Sequence, residues 1–189
     1  LSTALGGLGE VGTQQDAALT ASFLENQSAR VRRAAIRAVS RLDAESHLAV
    51  LLRALDDPTR SVSSAARNAL RPHTSQVGFK TVWGYFESGP FLHTRRNAFE
   101  LLAALPKWDS VLALLQVVSG HSAFAELATD HLLRWNARYN QSGTMPSSDE
   151  LRRASAALDA AASRLPPPLA SELRFIFASL ASHSIQRTL

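Results

Sequence analysis

The chain has 189 residues, of which 46% are hydrophobic and 19% are charged, and its formal net charge is +4. This balance is typical of a folded globular protein, and no apolar run reaches the roughly 18 residues that a membrane-spanning helix needs. The absence of cysteine excludes disulfides, thiolate metal sites and cysteine nucleophiles. Only Lys80 and Lys107 are lysines, so arginine supplies nearly all of the positive charge.

The chain opens with LSTALGGLGE, which is typical of the tail of a second helix from an earlier repeat. It has no initial Met and no charged segment followed by an apolar one, so we expect a piece cut from a longer protein, and the missing signal peptide says nothing about that parent. A cytoplasmic location is the expectation for the parent protein. Gly7, Gly9 and Gly12 have the G-x-G-x-x-G spacing of dinucleotide-binding folds. Because no strand precedes them, these glycines are predicted to form a helix end and a turn.

The chain then repeats itself. The similar copies are residues 24–39, 55–70, 93–105 and 123–135. Alignment of the first two places Leu24 on Leu55 and Ala35 on Ala66, so apolar residues recur at the same helical spacing. Each copy is preceded by another helical pattern and a short polar or Gly/Pro break. Two helices per repeat indicate helical hairpins, which bury their apolar faces only by stacking on neighbours.

Two runs carry a family resemblance. VRRAAIRAVSRL and DDPTRSVSSAARNAL resemble HEAT repeats of the short bacterial type, which also occur in phycobilin-lyase-like proteins. The resemblance is good over residues 1–70 and weaker beyond them. It implies an all-α fold, a right-handed α-α superhelix (solenoid) of antiparallel helix pairs whose second helices line a concave face. It also implies a scaffold or adaptor, because this family is mainly one of interaction proteins.

The repeat pattern stops after residue 139. Residues 140–148 are predicted to form a loop, and Ser147 and Glu150 have the spacing of a capping box for the next helix. That helix is expected over about 149–165, where the following proline run ends it, because proline cannot continue a helix.

A last helix is expected over about 169–182, followed by a frayed tail. Together the two C-terminal helices are predicted to cap the array, because the last repeat needs cover for its apolar face. The predicted domains are HEAT-like repeats over residues 1–139, a loop over 140–148 and a helical cap over 149–189.

The stretch ARVRRAAIRAVSRL, from Ala29 to Leu42, contains five arginines. On a helix that advances about 100° per residue, all but one share a polar arc. The arginines of this arc are Arg30, Arg33, Arg37 and Arg41. Arg32 lies instead at the border of the apolar face, so it is expected to have a different role.

For Arg32 the resemblance implies a structural role. In HEAT repeats an arginine at this position bonds to an aspartate of the inter-helix turn and forms a ladder between repeats. Here Asp57 keeps that aspartate, whereas Asn26 and Ser63 interrupt the ladder and Arg95 restores it in the third copy.

The polar arc predicts a binding surface for a partner. Later copies add Arg71 and Arg96 at equivalent positions, but the fourth carries Glu126 and Asp130. The positive charge fades along the repeats, which argues against a track for a polyanion. We therefore predict a non-catalytic scaffold that binds a protein or peptide, with an acidic segment docking on its second helices. Sequence-independent nucleic-acid binding by the same arginines is the alternative, and a solvated face without a ligand also stays open.

Motifs for catalysis or cofactors are missing from the sequence. The histidines lack metal-site spacing, and no serine lies in a G-x-S-x-G pattern. We expect no enzyme activity, cofactor, metal or membrane contact. HEAT-like DNA glycosylases use tryptophans beside a basic concave face, but no catalytic motif of these enzymes is matched. An enzyme, either a HEAT-like DNA glycosylase or a bilin lyase, is therefore the last alternative. The aromatic residues from Trp83 to Trp135 are expected to fill the core, with an exposed hot spot as the alternative.

Overall fold

A computed structural model describes the backbone of residues 1–186 and the side chains of residues 1–182. Throughout this part every regular element is a helix, so the all-α fold class is confirmed. The chain divides into two compact units, Leu1–Ala104 (unit 1) and Leu105–Leu189 (unit 2). The break between them comes before the fourth helix pair, whereas the expected repeat region extended over residues 1–139.

Unit 1 is built of consecutive helix pairs. Its helices are α1 (Ser2–Val11), α2 (Asp16–Ala21), α3 (Ala29–Asp43), α4 (Leu48–Arg53), α5 (Arg60–Leu70), the one-turn α6 (Thr74–Val77), α7 (Phe79–Ser88) and α8 (Leu92–Leu102). Helices α3, α5 and α8 are the second helices of their pairs. Each of them packs on its own first helix and on the second helix of the preceding pair. This is the packing expected of stacked helical hairpins.

Helix α3 packs closely against its neighbours because its buried residues are small or aliphatic. Ala35, Ala38 and Val39 are almost completely buried. Helix α1 approaches so closely that a Cβ atom on Gly9 would lie 2.9 Å from the Cα atom of Ala38. Glycine at position 9 therefore permits this contact, and Gly12 follows the last residue of α1. The stretch GLGEVG thus forms a helix and its end, as predicted.

The turns between paired helices are held by side-chain hydrogen bonds to the backbone. The Asn26 side chain accepts a hydrogen bond from the Ser28 amide at 3.0 Å, and the Asp57 side chain accepts one from the Thr59 amide at 2.8 Å. Asn26 can replace aspartate in this turn because both side chains offer an acceptor at the same distance from the backbone.

Unit 2 is arranged around one largely buried helix, α9 (Lys107–Gly120). Its other helices are α10 (Ser122–Ala137), α11 (Ser148–Ala161) and α12 (Pro167–Gln186). Helix α9 packs against both α10 and α11, and all of its residues from Val111 to Leu115 are buried. A helix covered on several sides has no polar face, which explains the apolar run VLALLQVV. The fourth helix pair therefore shares a compact unit with the C-terminal helices.

The predicted capping box of α11 is confirmed. The Ser147 hydroxyl accepts a hydrogen bond from the Glu150 amide at 3.2 Å, and the Glu150 carboxylate accepts one from the Ser147 amide at 2.7 Å. These bonds satisfy amide groups that have no partner within the helix. The Ser147 hydroxyl also donates to the Glu150 carboxylate at 2.7 Å, and this bond, together with the one from the Ser147 amide, holds the pKa of Glu150 below its usual range.

The prediction for the proline run was wrong. Helix α11 ends at Ala161, before the prolines, and a 3-10 turn leads to the buried Leu165. Pro167 and Pro168 instead open helix α12, where a missing amide hydrogen costs nothing because the first turn does not use it. Helix α12 continues through Gln186, beyond the expected end of the last helix. The remainder of the predicted tail, residues 187–189, lies outside the described residues.

Candidate functional site

Three of the predicted arginines line a groove between α1 and α3, which we name the N-terminal groove. Arg30, Arg33 and Arg37 share one face of α3 because they lie three and four residues apart. Arg30 and Arg37 are exposed, and Arg33 is half-buried. The groove encloses about 170 Å³. Its other lining residues are Ser2, Thr3 and Ala34.

A larger groove lies between α5 and α8, and we name it the α5–α8 groove. It encloses about 330 Å³. The residues that line it are Arg60, Ser64, Arg67, Leu92, His93, Arg96 and Asn97. Arg96 was predicted from the sequence as a partner-binding residue, whereas Arg60 and Arg67 were missed.

Sequence reasoning missed these two arginines because it compared only the positions aligned with the polar arc of α3. Arg60 and Arg67 align with Ala29 and Ile36 of the first copy, which lie outside that arc. On a wheel of α5 alone, Arg60, Ser64 and Arg67 share one face, because the steps between them are four and three residues. A helical wheel of α5 by itself would therefore have placed Arg60 and Arg67 on one face.

Two other predicted arginines lie elsewhere. The Arg41 guanidinium is 3.4 Å from the Glu10 carboxylate, and the two side chains are 57% and 68% exposed. Such an exposed pair is worth little. Arg71 is exposed in the 3-10 turn after α5. The structure places neither residue among those that line the two grooves.

A buried polar network positions the α5–α8 groove. The Asn97 amide donates to the Ser63 hydroxyl at 2.8 Å, and Ser63 donates to the Leu55 carbonyl at 2.7 Å. Thr94 donates to the same carbonyl at 2.9 Å. His93 reaches the carbonyl of Asp57 at 2.9 Å, which requires the proton on Nε2. These bonds tie α8 to α5 and to the turn before it.

Among the described residues, the arginines of both grooves have no acidic partner. No Asp or Glu is among the residues that line either groove. Within the described part of the chain, no ion pair involves any of these arginines. Arg67 donates only to a neutral group, the Asn68 side-chain oxygen, at 2.8 and 3.1 Å. The positive charge of both grooves is therefore available to an external anion.

Arg32 has a different environment, because it links two repeats. Its guanidinium donates to both carboxylate oxygens of Asp57, at 2.6 and 2.9 Å, and to the carbonyls of Asn26 and Gln27 at 2.8 and 3.0 Å. The Asp57 carboxylate raises the pKa of Arg32, mainly through the side-chain hydrogen bond. The side chains are only 14% and 9% exposed. Arg32 therefore joins the turn of one repeat to the turn of the next.

Arg95 stands at the corresponding position of the third copy, and it contacts α7. Its Nε donates to the carbonyl of Phe86 at 3.0 Å, and its guanidinium lies 5.9 Å from the centre of the Phe86 ring. Arg95 thus holds together the two helices of its own pair. Its participation in a ladder between repeats stays a prediction.

The aromatic residues of unit 2 surround a lysine of the same unit. The Lys107 ammonium lies 5.5, 5.9 and 4.4 Å from the ring centres of Trp108, Trp135 and Tyr139. It also donates to the carbonyls of Tyr139 and Ser142 at 2.7 and 3.1 Å. Burial lowers the pKa of Lys107. Lys107 therefore holds the loop after α10 in place. The three rings contact this lysine of the same unit.

Among the described residues, no group of His, Asp or Glu side chains is placed to hold a metal ion. The side chain of His183 lies outside the described residues. None of the described helices is both long and apolar enough to pass through a bilayer.

Comparison with known proteins agrees with the packing of unit 1. Residues 1–71 match the family described as HEAT repeats. The resemblance seen in the sequence is confirmed over that segment, which is a HEAT-repeat segment. No curated protein matches the chain.

Proposed function

We propose that this protein is a non-catalytic binding module whose second-helix face in unit 1 holds an acidic segment of a partner protein. HEAT repeats generally mediate protein–protein interaction and are typically non-catalytic. The observation that carries the finer proposal is the pair of grooves, each lined by three arginines and by no carboxylate.

Electrostatics supports an acidic ligand on this face. Guanidinium groups that are close together and unpaired repel one another, and a carboxylate between them removes that repulsion. Arginine also binds carboxylates through two parallel hydrogen bonds, which sets the orientation of the ligand. Because the arginines lie in grooves rather than on a flat surface, an extended acidic segment would be partly desolvated when bound. Its ion pairs would then be stronger than exposed ones.

A protein ligand is favoured over nucleic acid by the limited extent of the basic surface. Affinity for nucleic acid grows with the number of phosphates that are neutralised along a track. Glu100 stands on α8, and the corresponding positions of α10 carry Glu126 and Asp130. The basic residues are thus concentrated in α3, α5 and the first turns of α8.

A charge-reversal pair tests the proposal. Binding of a fluorescent oligoglutamate peptide should fall by about tenfold or more in Arg33→Glu/Arg37→Glu, because charge-assisted hydrogen bonds are worth about 1.5–3 kcal/mol each. The matched control is Arg53→Glu/Lys80→Glu, which makes the same change in net charge at exposed residues of the first helices α4 and α7. The control should bind almost as well as the parent protein. Equal losses in the two variants would refute a specific site.

The same titration with a duplex oligonucleotide examines the alternative function. We expect weak duplex binding that disappears at moderate salt. Tighter binding to duplex than to peptide, with a steep dependence on salt, would replace the protein-binding proposal by nucleic-acid binding.

A further inference from the structure

We propose that the α5–α8 groove binds a phosphate monoester, presented by a phosphorylated serine or threonine within the acidic partner segment. This inference rests on the proposed function and specifies the chemistry that one of its two grooves recognises. A carboxylate is the ligand expected of the smaller N-terminal groove. The α5–α8 groove has features that favour a doubly charged anion.

The first feature is a cavity about twice as large as the N-terminal groove, with three arginines around it. Arg60, Arg67 and Arg96 line a single cavity of about 330 Å³, and no acidic residue lines it. A glutamate or aspartate brings one negative charge, which leaves most of that charge unbalanced. A phosphate monoester carries about −1.5 to −2 at pH 7 and has three strong acceptor oxygens. Clusters of arginine are the usual recognition device for such groups.

The second feature is the set of donors. Arg60 and Arg96 are exposed at the groove, so their guanidinium groups can turn toward a ligand. Arg67 is oriented by its two hydrogen bonds to Asn68, which use Nε and Nη2 and leave Nη1 without a partner within the described structure. Three forked donors around one cavity match the several acceptor oxygens of a phosphoryl group better than the two of a carboxylate.

The third feature is the position of the groove on the helices. Arg60 is the first residue of α5, and Leu92 and His93 are the first residues of α8. The amino ends of helices carry a partial positive charge that favours anions. Neither N-cap side chain, that of Thr59 or of Phe91, bonds to the first-turn amides of its helix. These amides therefore add to the positive potential of the arginines.

The rigid floor of the groove and its apolar rim favour a peptide ligand. The network from Asn97 through Ser63 to the Leu55 carbonyl fixes α8 against α5, so the cavity exists before a ligand arrives. Leu92 lies beside the arginines and is 72% exposed. An apolar residue of the peptide, next to its phosphorylated residue, would cover Leu92. The sugar–phosphate backbone of a duplex has only singly charged diesters and no such apolar side chain.

Calorimetry with three short acidic peptides tests the proposal. The peptides are identical except for a central phosphoserine, glutamate or serine. We expect the phosphoserine peptide to bind the parent protein about tenfold tighter than the glutamate peptide or better. Arg96→Gln should remove about tenfold of the affinity for the phosphoserine peptide, the value of one charge-assisted hydrogen bond, and should leave the glutamate peptide nearly unchanged. Arg33→Gln, in the N-terminal groove, is the matched control and should weaken all three peptides alike.

Titration with small anions at constant ionic strength distinguishes a phosphate monoester from a phosphodiester or a carboxylate as the ligand. Methyl phosphate should shift the amide resonances of α5 and α8, and inorganic phosphate should do so at similar concentration. Dimethyl phosphate, the analogue of a nucleic-acid linkage, and acetate should not. If dimethyl phosphate binds as well as methyl phosphate, the groove does not select a monoester and the inference is wrong.

The outcomes distinguish this inference from the proposed function. Equal affinities for the phosphoserine and glutamate peptides, both lost in Arg33→Glu/Arg37→Glu, would refute the phosphate site and leave the acidic-partner proposal standing. If methyl phosphate binds in the α5–α8 groove while none of the peptides binds, the proposed function fails and the groove is a site for a small phosphorylated molecule. Equal effects of Arg96→Gln and Arg33→Gln on every peptide would refute the assignment of the phosphate to the α5–α8 groove.

Discussion

The ion pair between Arg32 and Asp57 provides a quantitative test of how neighbouring repeats are held together. Replacing Asp57 with alanine removes two charge-assisted hydrogen bonds from the guanidinium, at 2.6 and 2.9 Å, and one bond from the Thr59 amide at 2.8 Å. It also leaves a positive charge on a side chain that is only 14% exposed.

The expected loss of stability depends on the hydrogen bonds that Arg32 keeps when Asp57 is removed. Breaking a buried ion pair costs about 3–5 kcal/mol, because the remaining charge stays buried without its partner. Here Arg32 keeps its hydrogen bonds to the carbonyls of Asn26 and Gln27. We therefore expect Asp57→Ala to lower the free energy of unfolding of unit 1 by about 3 kcal/mol, the lower end of that range. The double variant Arg32→Met/Asp57→Ala should lose less than the two single variants together, since it leaves no buried charge.

Hydrogen exchange followed by mass spectrometry measures this loss in unit 1, with the amides of unit 2 as an internal reference. Glu10→Ala is the matched control, because it removes the exposed partner of Arg41 and should cost no more than about 0.5 kcal/mol. The reasoning is refuted if Asp57→Ala costs no more than Glu10→Ala, or if the two single losses simply add in the double variant.

Three further predictions concern packing and pH. Gly9→Ala should destabilise unit 1 by about 1–3 kcal/mol, because the new Cβ would lie 2.9 Å from the backbone of α3. Gly7→Ala, whose new Cβ would have no atom within 4 Å, should instead stabilise α1 by about 0.5–1 kcal/mol. Urea unfolding of the two variants would contradict this if both changes in stability had the same sign. Asp56 has a buried carboxylate oxygen with no hydrogen-bond partner among the described residues, and burial raises its pKa. Its contribution to stability is therefore present at low pH and is lost as pH rises through the folded-state pKa. Asp56→Asn should therefore stabilise unit 1 at neutral pH and have little effect in acid, which thermal unfolding across pH would show. The hydrogen bonds from Ser147 lower the pKa of Glu150, so the stabilisation by its carboxylate is present at neutral pH and is lost as pH falls through the folded-state pKa. Glu150→Gln should abolish this loss of stability in acid, measured by hydrogen exchange of the α11 amides. An unchanged loss in the variant would exclude Glu150 as the cause.

Local patterns were sufficient to predict the second helices of unit 1 and the start of α11. The apolar spacing of α3 and α5 reports a helix with one buried face, and this spacing depends only on the geometry of the helix itself. The capping box at Ser147 and Glu150 was predicted for the same reason, since both of its bonds lie within one turn. The proline run was misread because a proline is compatible both with the end of one helix and with the first turn of the next.

The candidate site was predicted only in part, because it is formed between helices. Arg30, Arg33 and Arg37 belong to one helix face, so a wheel brings them together. The α5–α8 groove combines Arg60 and Arg67 of one helix with Arg96 of another, and their proximity depends on how α5 and α8 pack. No spacing along the chain reports that packing.

The amino-acid sequence by itself determined the repeated helical hairpins, the absence of thiol chemistry and the basic face of α3, because these follow from composition and from the geometry of single helices. Only the tertiary structure decided that the fourth helix pair shares a compact unit with the C-terminal helices. It alone also decided that arginines from two helices meet in one groove, with no Asp or Glu among its lining residues. Both results depend on contacts between residues far apart in the chain. Such contacts are selected by shape and burial over the whole unit, and short stretches of sequence do not encode them.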